Sequence, residues 1–217
     1  MTPALLTLSH GSRHPRAAAG IDRLTQAAGR ELGVTARAAH LEFDTPTLID
    51  AASDLAAAGH RRAVVVPLLF TDAFHARHDV PAALDAARRA SGLDLIPARG
   101  LGTGADIADI LAAHTRPTPG RRLALGHVGS SHASAEQAVR DLAALLAARL
   151  GRDVGVARAT GGGVASISDG AHLIPLFVTD ALLLDRLRTA RPRVTADPPL
   201  TDALRDVVAA RYRAALT

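Results

Sequence analysis

The sequence predicts an α/β protein built on parallel sheets, and three observations carry that reading. Short β-type runs alternate with Ala-rich amphipathic helices along all 217 residues. The clearest run, Ala63-Val64-Val65-Val66-Pro67-Leu68-Leu69-Phe70, is apolar without alternation, as a strand covered on both faces requires. The order of landmarks then repeats in the second half of the chain, which predicts two copies of one unit.

Residues 4–9 read as a strand and 15–32 as a helix, with Pro15 near its start and Gly33 after its end. Residues 35–43 read as a strand ending at Leu41-Glu42-Phe43. A helix over 46–58 follows, with Asp44 or Thr45 as its N-cap and Gly59 beyond it. Residues 62–70 are the third strand, and 80–91 are a helix with Pro81 in its first turn, before which Asp79 could serve as cap. A short strand at 94–98 and a helix at 104–114 complete the first copy. Such alternation implies parallel strands joined by right-handed crossovers.

Thr115-Arg116-Pro117-Thr118-Pro119-Gly120 is a linker by composition, so the expected division is an N-terminal half at 1–115 and a C-terminal half at 121–217. In the second half 122–127, 153–159 and 172–178 read as strands, and 134–150, 180–190 and 200–214 as helices. Leu8-Ser9-His10 aligns with Leu125-Gly126-His127, and Val66-Pro67-Leu68 with Ile174-Pro175-Leu176. Asp109-Ile110-Leu111 aligns with Asp206-Val207-Val208. On this alignment His75 falls opposite Leu183 and Glu42 opposite Ala159, while a Gly-rich stretch at 161–170 replaces the 46–58 helix.

Composition narrows the chemistry. Hydrophobic residues make up 48% and aromatics 2%, so the core must be Leu, Val, Ile and Ala. There is no Cys, which excludes disulfides, cysteine nucleophiles and thiolate metal sites. All 25 basic side chains are Arg, and the net charge of +4 is too small to argue for nucleic acid. Arg does suit anionic small molecules, because its fork binds carboxylates bidentately. No apolar run approaches the ~20 residues that span a bilayer. The opening Met1-Thr2-Pro3-Ala4-Leu5 reads as a strand rather than a signal peptide. The expectation is a soluble, cytoplasmic protein with neither membrane nor nucleic-acid partners.

His10 and His75 each follow an apolar strand. In a parallel α/β sheet the carboxyl ends of strands line the ligand crevice, where two imidazoles could hold one metal ion and leave positions open for exchange. The plainer alternative is a pair of loop histidines bonded to backbone. Glu42 ends the second strand among apolar neighbours, and a carboxylate there needs a partner. It could be a third ligand, a proton acceptor, or half of a salt bridge. Ser9, Gly11, Ser12 and Arg13 form the loop after the first strand, with Gly11 permitting close approach and Ser12 a hydrogen bond to an anion. Arg13, Arg16, Arg77 and His78 flank the histidines and could bind carboxylates, or be a solvated rim. His127 aligns with His10 and could face ligand; His14 and His132 are weaker candidates. His40, His60, His114 and His172 read as ordinary structural residues. Ser9-His10-Gly11 is similar to a histidine-phosphatase motif, but Ser9 stands where that chemistry needs Arg. The Gly-rich stretches at 100–104 and 161–163 lack nucleotide-loop spacing.

The motif Leu8-Ser9-His10-Gly11-Ser12-Arg13-His14-Pro15 resembles the opening signature of the class II tetrapyrrole chelatases, the group of sirohydrochlorin ferrochelatases and small cobaltochelatases. Leu41-Glu42-Phe43-Asp44-Thr45-Pro46 is similar to that group's Glu-containing motif, and 65–81, with His75-Ala76-Arg77-His78-Asp79-Val80-Pro81, to its third-strand motif. The second half resembles the degenerate half of two-domain members, best at 179–187. The resemblance implies two chelatase-like α/β halves facing a central cleft. It implies that His10, His75 and Glu42 hold an incoming Fe2+ or Co2+ and do the chemistry. Ser9, Gly11, Ser12, Arg13, Arg77 and His127 would bind a metal-free tetrapyrrole. The metal is then a substrate, no tightly bound cofactor is expected, and one chain supplies both walls as a monomer. The implied reaction is Fe2+ insertion into sirohydrochlorin for siroheme. The alternatives are cobalt or nickel insertion, and a non-catalytic tetrapyrrole or metal carrier.

Overall fold

A computed structural model describes residues 2–71 and 78–217. His75 and Arg77 lie outside the described residues. Among those described, eight strands form two four-stranded, wholly parallel sheets. The first has the order β2-β1-β3-β4, made of β1 (Ala4–Ser9), β2 (Ala36–His40), β3 (Arg62–Pro67) and β4 (Asp94–Pro97). The second repeats it as β6-β5-β7-β8, from β5 (Leu123–His127), β6 (Val154–Arg158), β7 (His172–Pro175) and the two-residue β8 (Thr195–Ala196). The α/β reading and the internal repeat hold. β8 is too short to leave a periodic signal, and the sequence reading lacks it.

In the first sheet β1 is buried along its whole length, as its apolar run requires. Helices α2 (Leu48–Ala57) and α3 (Val80–Ser91) cover one face, packing Leu48, Leu55 and Leu84 on Leu6, Leu8 and Val65. Helix α1 (Ala17–Leu32) packs against β1 and β2 as well as α7 (Arg205–Ala214). Two boundaries differ from expectation. β2 stops at His40 rather than at residue 43, because 41–46 bend away and the His40 N–H bonds back to the Pro46 carbonyl. α2 is capped by Thr47, not Asp44 or Thr45. The Thr47 hydroxyl accepts the Asp50 N–H while the Asp50 carboxylate accepts the Thr47 N–H, a reciprocal box that satisfies two end donors. Asp79 makes no capping side-chain bond to α3.

The second sheet carries α5 (Ala133–Leu150) and α6 (Leu182–Arg188). A single 3-10 turn, Gly163–Ser166, stands where the first sheet has α2. Its core gathers Ala157, Leu173, Phe177, Leu184 and Leu187.

The compact units are Met1–Gly102 with Leu204–Thr217, and Thr103–Ala203. These differ from the halves expected at 1–115 and 121–217, and the reason is packing. Helix α4 (Ala105–His114) packs on α5 in the second unit, whereas α7 packs on α1 and β3 in the first. α4 and α7 are the matching helices of the sequence repeat, so each unit is completed by the other copy's last helix. Tyr212 and Arg211 fasten α7: the Tyr212 hydroxyl donates to the Pro3 carbonyl, and Arg211 donates to the carbonyls of Gly100 and Leu101. Burial raises the Tyr212 phenol above its ordinary pKa.

Candidate functional site

In the order β2-β1-β3-β4 the chain leaves β1 toward one side and β3 toward the other. Loops diverge at that switch point, and open parallel sheets bind ligands there, beyond the carboxyl ends of the strands. β1 and β3 are direct neighbours, with Leu8 beside Pro67, so the loops that carry His10 and His75 in the sequence start side by side. His10 is half-buried directly beyond β1.

The His10 loop is clamped to the loop after β2. Leu41 N–H donates to the Ser9 carbonyl and Glu42 N–H to the His10 carbonyl, both at 2.9 Å. Ser12 N–H donates to the Asp44 carboxylate at 2.9 Å, so this donor is already occupied by the protein's own anion. Gly11, at φ +91°, lies so close to the Glu42 carbonyl that a Cβ would fall 1.7 Å from its oxygen. Only glycine satisfies both the backbone angle and the gap. Glu42 therefore stands in an exposed bend, not at a buried strand end as expected, and its carboxylate needs no buried partner. His10 and Glu42 are brought together through their backbones. Among the described residues no three of His, Asp and Glu converge as a metal site.

Phe43 completes the bend. Its ring stands edge-to-face with His10 at a centroid distance of 5.7 Å, and the Arg13 guanidinium lies 4.8 Å from its centroid. Arg13 is thus held at the rim beside His10, exposed enough for an anion.

Behind the loop lies His40, which read as an ordinary strand residue. It is buried, and its Nδ1 sits 2.7 Å from the Ser9 hydroxyl. Ser9 Oγ also accepts the Gly11 N–H at 3.2 Å. Burial lowers the His40 pKa from its ordinary value, against an opposing pull from Asp44 and Asp22. A neutral imidazole that accepts the Ser9 proton at Nδ1 fits both bonds. The Ser9 hydroxyl is thus engaged by His40 and Gly11, beneath the loop. The signal that could have found this pair is the parallel register, which sets Ser9 beside His40.

The second sheet corrects the alignment of the repeat. Leu176 N–H donates to the Gly126 carbonyl as Leu68 donates to Leu8, and Ala159 donates to His127 as Leu41 donates to Ser9. His127 is therefore the counterpart of Ser9, not of His10. Val128 occupies the His10 position, and Thr160 rather than Ala159 the Glu42 position, since Thr160 N–H donates to the Val128 carbonyl. His127 is 5% exposed, and its Nε2 is 3.9 Å from Glu136, too long for a hydrogen bond. Burial lowers its pKa; Glu136 opposes this and Arg158 adds to it. Arg158, the register partner of His127, lies 3.6 Å from the same carboxylate. A Cβ on Gly163 would meet Arg158 at 2.6 Å, so the Gly-rich stretch makes room for that side chain.

Two parallel 2-1-3-4 sheets with their loops diverging beyond β1 and β3 define an α/β class with close structural counterparts. SirB from Bacillus subtilis, solved with Fe3+, superposes with a TM-score of 0.77 at 20% identity, over 99% of this chain and 96% of that one. CbiX, described as the terminal enzyme for siroheme biosynthesis in denitrifying bacteria, gives 0.73 at 22% identity over 99% and 100%. At these identities the likeness is one of fold, and it is the chelatase fold that the sequence motifs resemble.

The CbiX family model matches residues 4–118, just over half of the chain, and the protein belongs to that family. A stretch of 41 residues is 54% identical to the sirohydrochlorin cobaltochelatase of Saccharolobus solfataricus, and 51% identical to that of Saccharolobus islandicus strain L.S.2.15. The match spans 19% of this chain and about a third, 32%, of those relatives.

Proposed function

We propose that this protein is a sirohydrochlorin chelatase that inserts Fe2+ into the metal-free macrocycle for siroheme, with no tightly bound cofactor, acting as a single chain in the cytoplasm. The observation that carries the reading is His10 at the switch point of the first sheet, with Glu42 clamped beside it in an exposed bend. The family match supports it.

Insertion of a divalent metal must displace two pyrrole N–H protons. In this mechanism His10 and His75 hold the incoming ion through neutral imidazoles, leaving most of its coordination sites to exchange with pyrrole nitrogens one at a time. Glu42, open to solvent, takes the displaced protons and passes them to water. Arg13 and Arg77 bind the peripheral carboxylates. His127 is left out of substrate binding in this scheme, because it is the buried counterpart of Ser9.

Nitrogen and oxygen ligands do not choose between iron and cobalt. The names of the short curated relatives favour a second reading, in which Co2+ is the physiological metal. An anaerobic absorbance assay with sirohydrochlorin and Fe2+, Co2+ or Ni2+ separates the two. We expect metallation above the spontaneous rate, fastest with Fe2+, and a loss of at least about a hundredfold in the His10→Ala/His75→Ala double variant. A double variant that works at the parent rate would sink the mechanism. Faster insertion of Co2+ would transfer the reading to cobalt.

A further inference from the structure

Phe43 combines an unusual backbone conformation with an exposed side chain. It has φ +63°, and it is the one non-glycine residue described with a positive φ. The Asp44 N–H donates across it to the Glu42 carbonyl at 2.8 Å, which makes a γ-turn of the positive-φ kind, a rare and strained turn. Bulky side chains resist this region because Cβ crowds the following carbonyl. Such a turn persists only when its surroundings impose it. Here they do: Glu42 N–H is tied to His10, the Asp44 carboxylate is tied to Ser12 N–H, and Gly11 leaves room for the Glu42 carbonyl.

Strain of this kind is often explained by a side chain delivered to the core. Phe43 is 51% exposed, in a chain with few aromatics, whereas Phe177 is buried at 5%. The turn thus presents an aromatic ring to solvent immediately beside His10, with Arg13 lying over it. A ring at that place meets whatever approaches His10.

We infer that Phe43 is a substrate-contacting residue whose ring, raised by the strained turn, stacks against a flat, apolar macrocycle beside His10 while steadying Arg13 for one of its carboxylates. The inference rests on the proposed function. It gives the ring-face contact to Phe43, the neighbour of Glu42 in the same sequence motif. The macrocycle offers a π-face to the Phe43 ring and anions to the guanidinium, and the pair Phe43–Arg13 matches both at once.

Substituting glycine separates the two roles, because glycine accepts the positive φ that phenylalanine resists. The probe is sirohydrochlorin itself, titrated anaerobically without metal and followed by absorbance, with a thermal melt of each variant. We expect Phe43→Gly to weaken binding about tenfold, the scale on which aromatic side chains stack on flat nucleobases, while its melting temperature stays level or rises. Phe43→Trp should bind within about threefold of the parent. Equal binding by Phe43→Gly and the parent would overturn the inference. So would weaker binding that merely tracks a lower melting temperature and is not rescued by Phe43→Trp. If the parent chain shows no saturable binding of sirohydrochlorin, the proposed function falls and takes this inference with it. If the parent binds and Phe43→Gly binds equally, only the inference falls.

Discussion

The first strand of each sheet ends in the same loop with different side chains. Gly11 and Gly129 have φ of +91° and +96°. Ser12 and Ser130 each donate a backbone N–H to a carboxylate, Asp44 in one case and Glu136 in the other. Each serine hydroxyl then accepts an N–H two residues on, from His14 and His132, at 3.2 and 3.1 Å. What differs is the residue at the rim, His10 against Val128, and the residue below it, Ser9 against His127. The carboxylate-bound loop is thus scaffold, kept whether the rim residue is His10 or Val128. The imidazole at the rim is what distinguishes a candidate metal edge from an apolar one.

The comparison breaks most sharply at the two glycines. A Cβ at Gly11 would meet the Glu42 backbone oxygen at 1.7 Å, whereas one at Gly129 would meet the Thr160 hydroxyl at 2.5 Å. A backbone carbonyl in a clamped turn cannot move aside; a threonine side chain can rotate. Gly11→Ala should cost roughly 3 kcal/mol and Gly129→Ala roughly 1–2 kcal/mol, the part common to both being the positive φ. Urea denaturation of the two variants checks this. Equal losses would mean that the Glu42 turn yields as easily as a side chain, and that the first loop is no more rigid than the second.

A smaller effect is expected one layer down, where His40 and Arg158 hold the same register position beside Ser9 and His127. His40→Leu strands the buried Ser9 hydroxyl, at a cost of about 1–3 kcal/mol. On the proposed function it also weakens metal binding about 10- to 100-fold, as loss of a group behind a ligand does. Arg158→Leu removes a half-exposed ion pair, at about 1 kcal/mol or less, with no effect on metal. Titration with Co2+ alone, followed by its visible absorption, reads the metal term. If both variants bind Co2+ alike, the Ser9–His40 pair does not support the His10 loop.

The sequence made the sheets legible for a simple reason: strands buried on both faces are written as unbroken apolar runs, and Ala63 to Val66 could be little else. His10 and Glu42 were legible as motif residues. Three features were not. The end of β2 is set by a bend whose partners, Ser9, His10 and Ser12, lie over thirty residues away. The repeat alignment matched one His to another, although backbone bonding sets His127 against Ser9. The exchange of α4 and α7 is invisible to periodicity, because an amphipathic stripe records that a helix is covered but not by which sheet.

The smallest effect is the one most specific to the second edge. The unfolded His127 titrates near its ordinary value of 6.5, and burial lowers it in the folded protein. The folded state therefore resists protonation of this imidazole more than the unfolded chain does. As pH falls through 6.5, the unfolded chain takes up a proton that the folded chain refuses. The stability present above that value is then lost until the lower folded pKa is passed. His127→Gln should flatten the decline of melting temperature between pH 7 and pH 5. Arg158→Leu should flatten it partly, because the guanidinium is one of the groups that lowers His127. Glu136→Gln should steepen it, since the carboxylate is the group that raises His127. An unchanged slope in all three would place the acid sensitivity elsewhere, with the buried His40 of the first edge as the residue to test next.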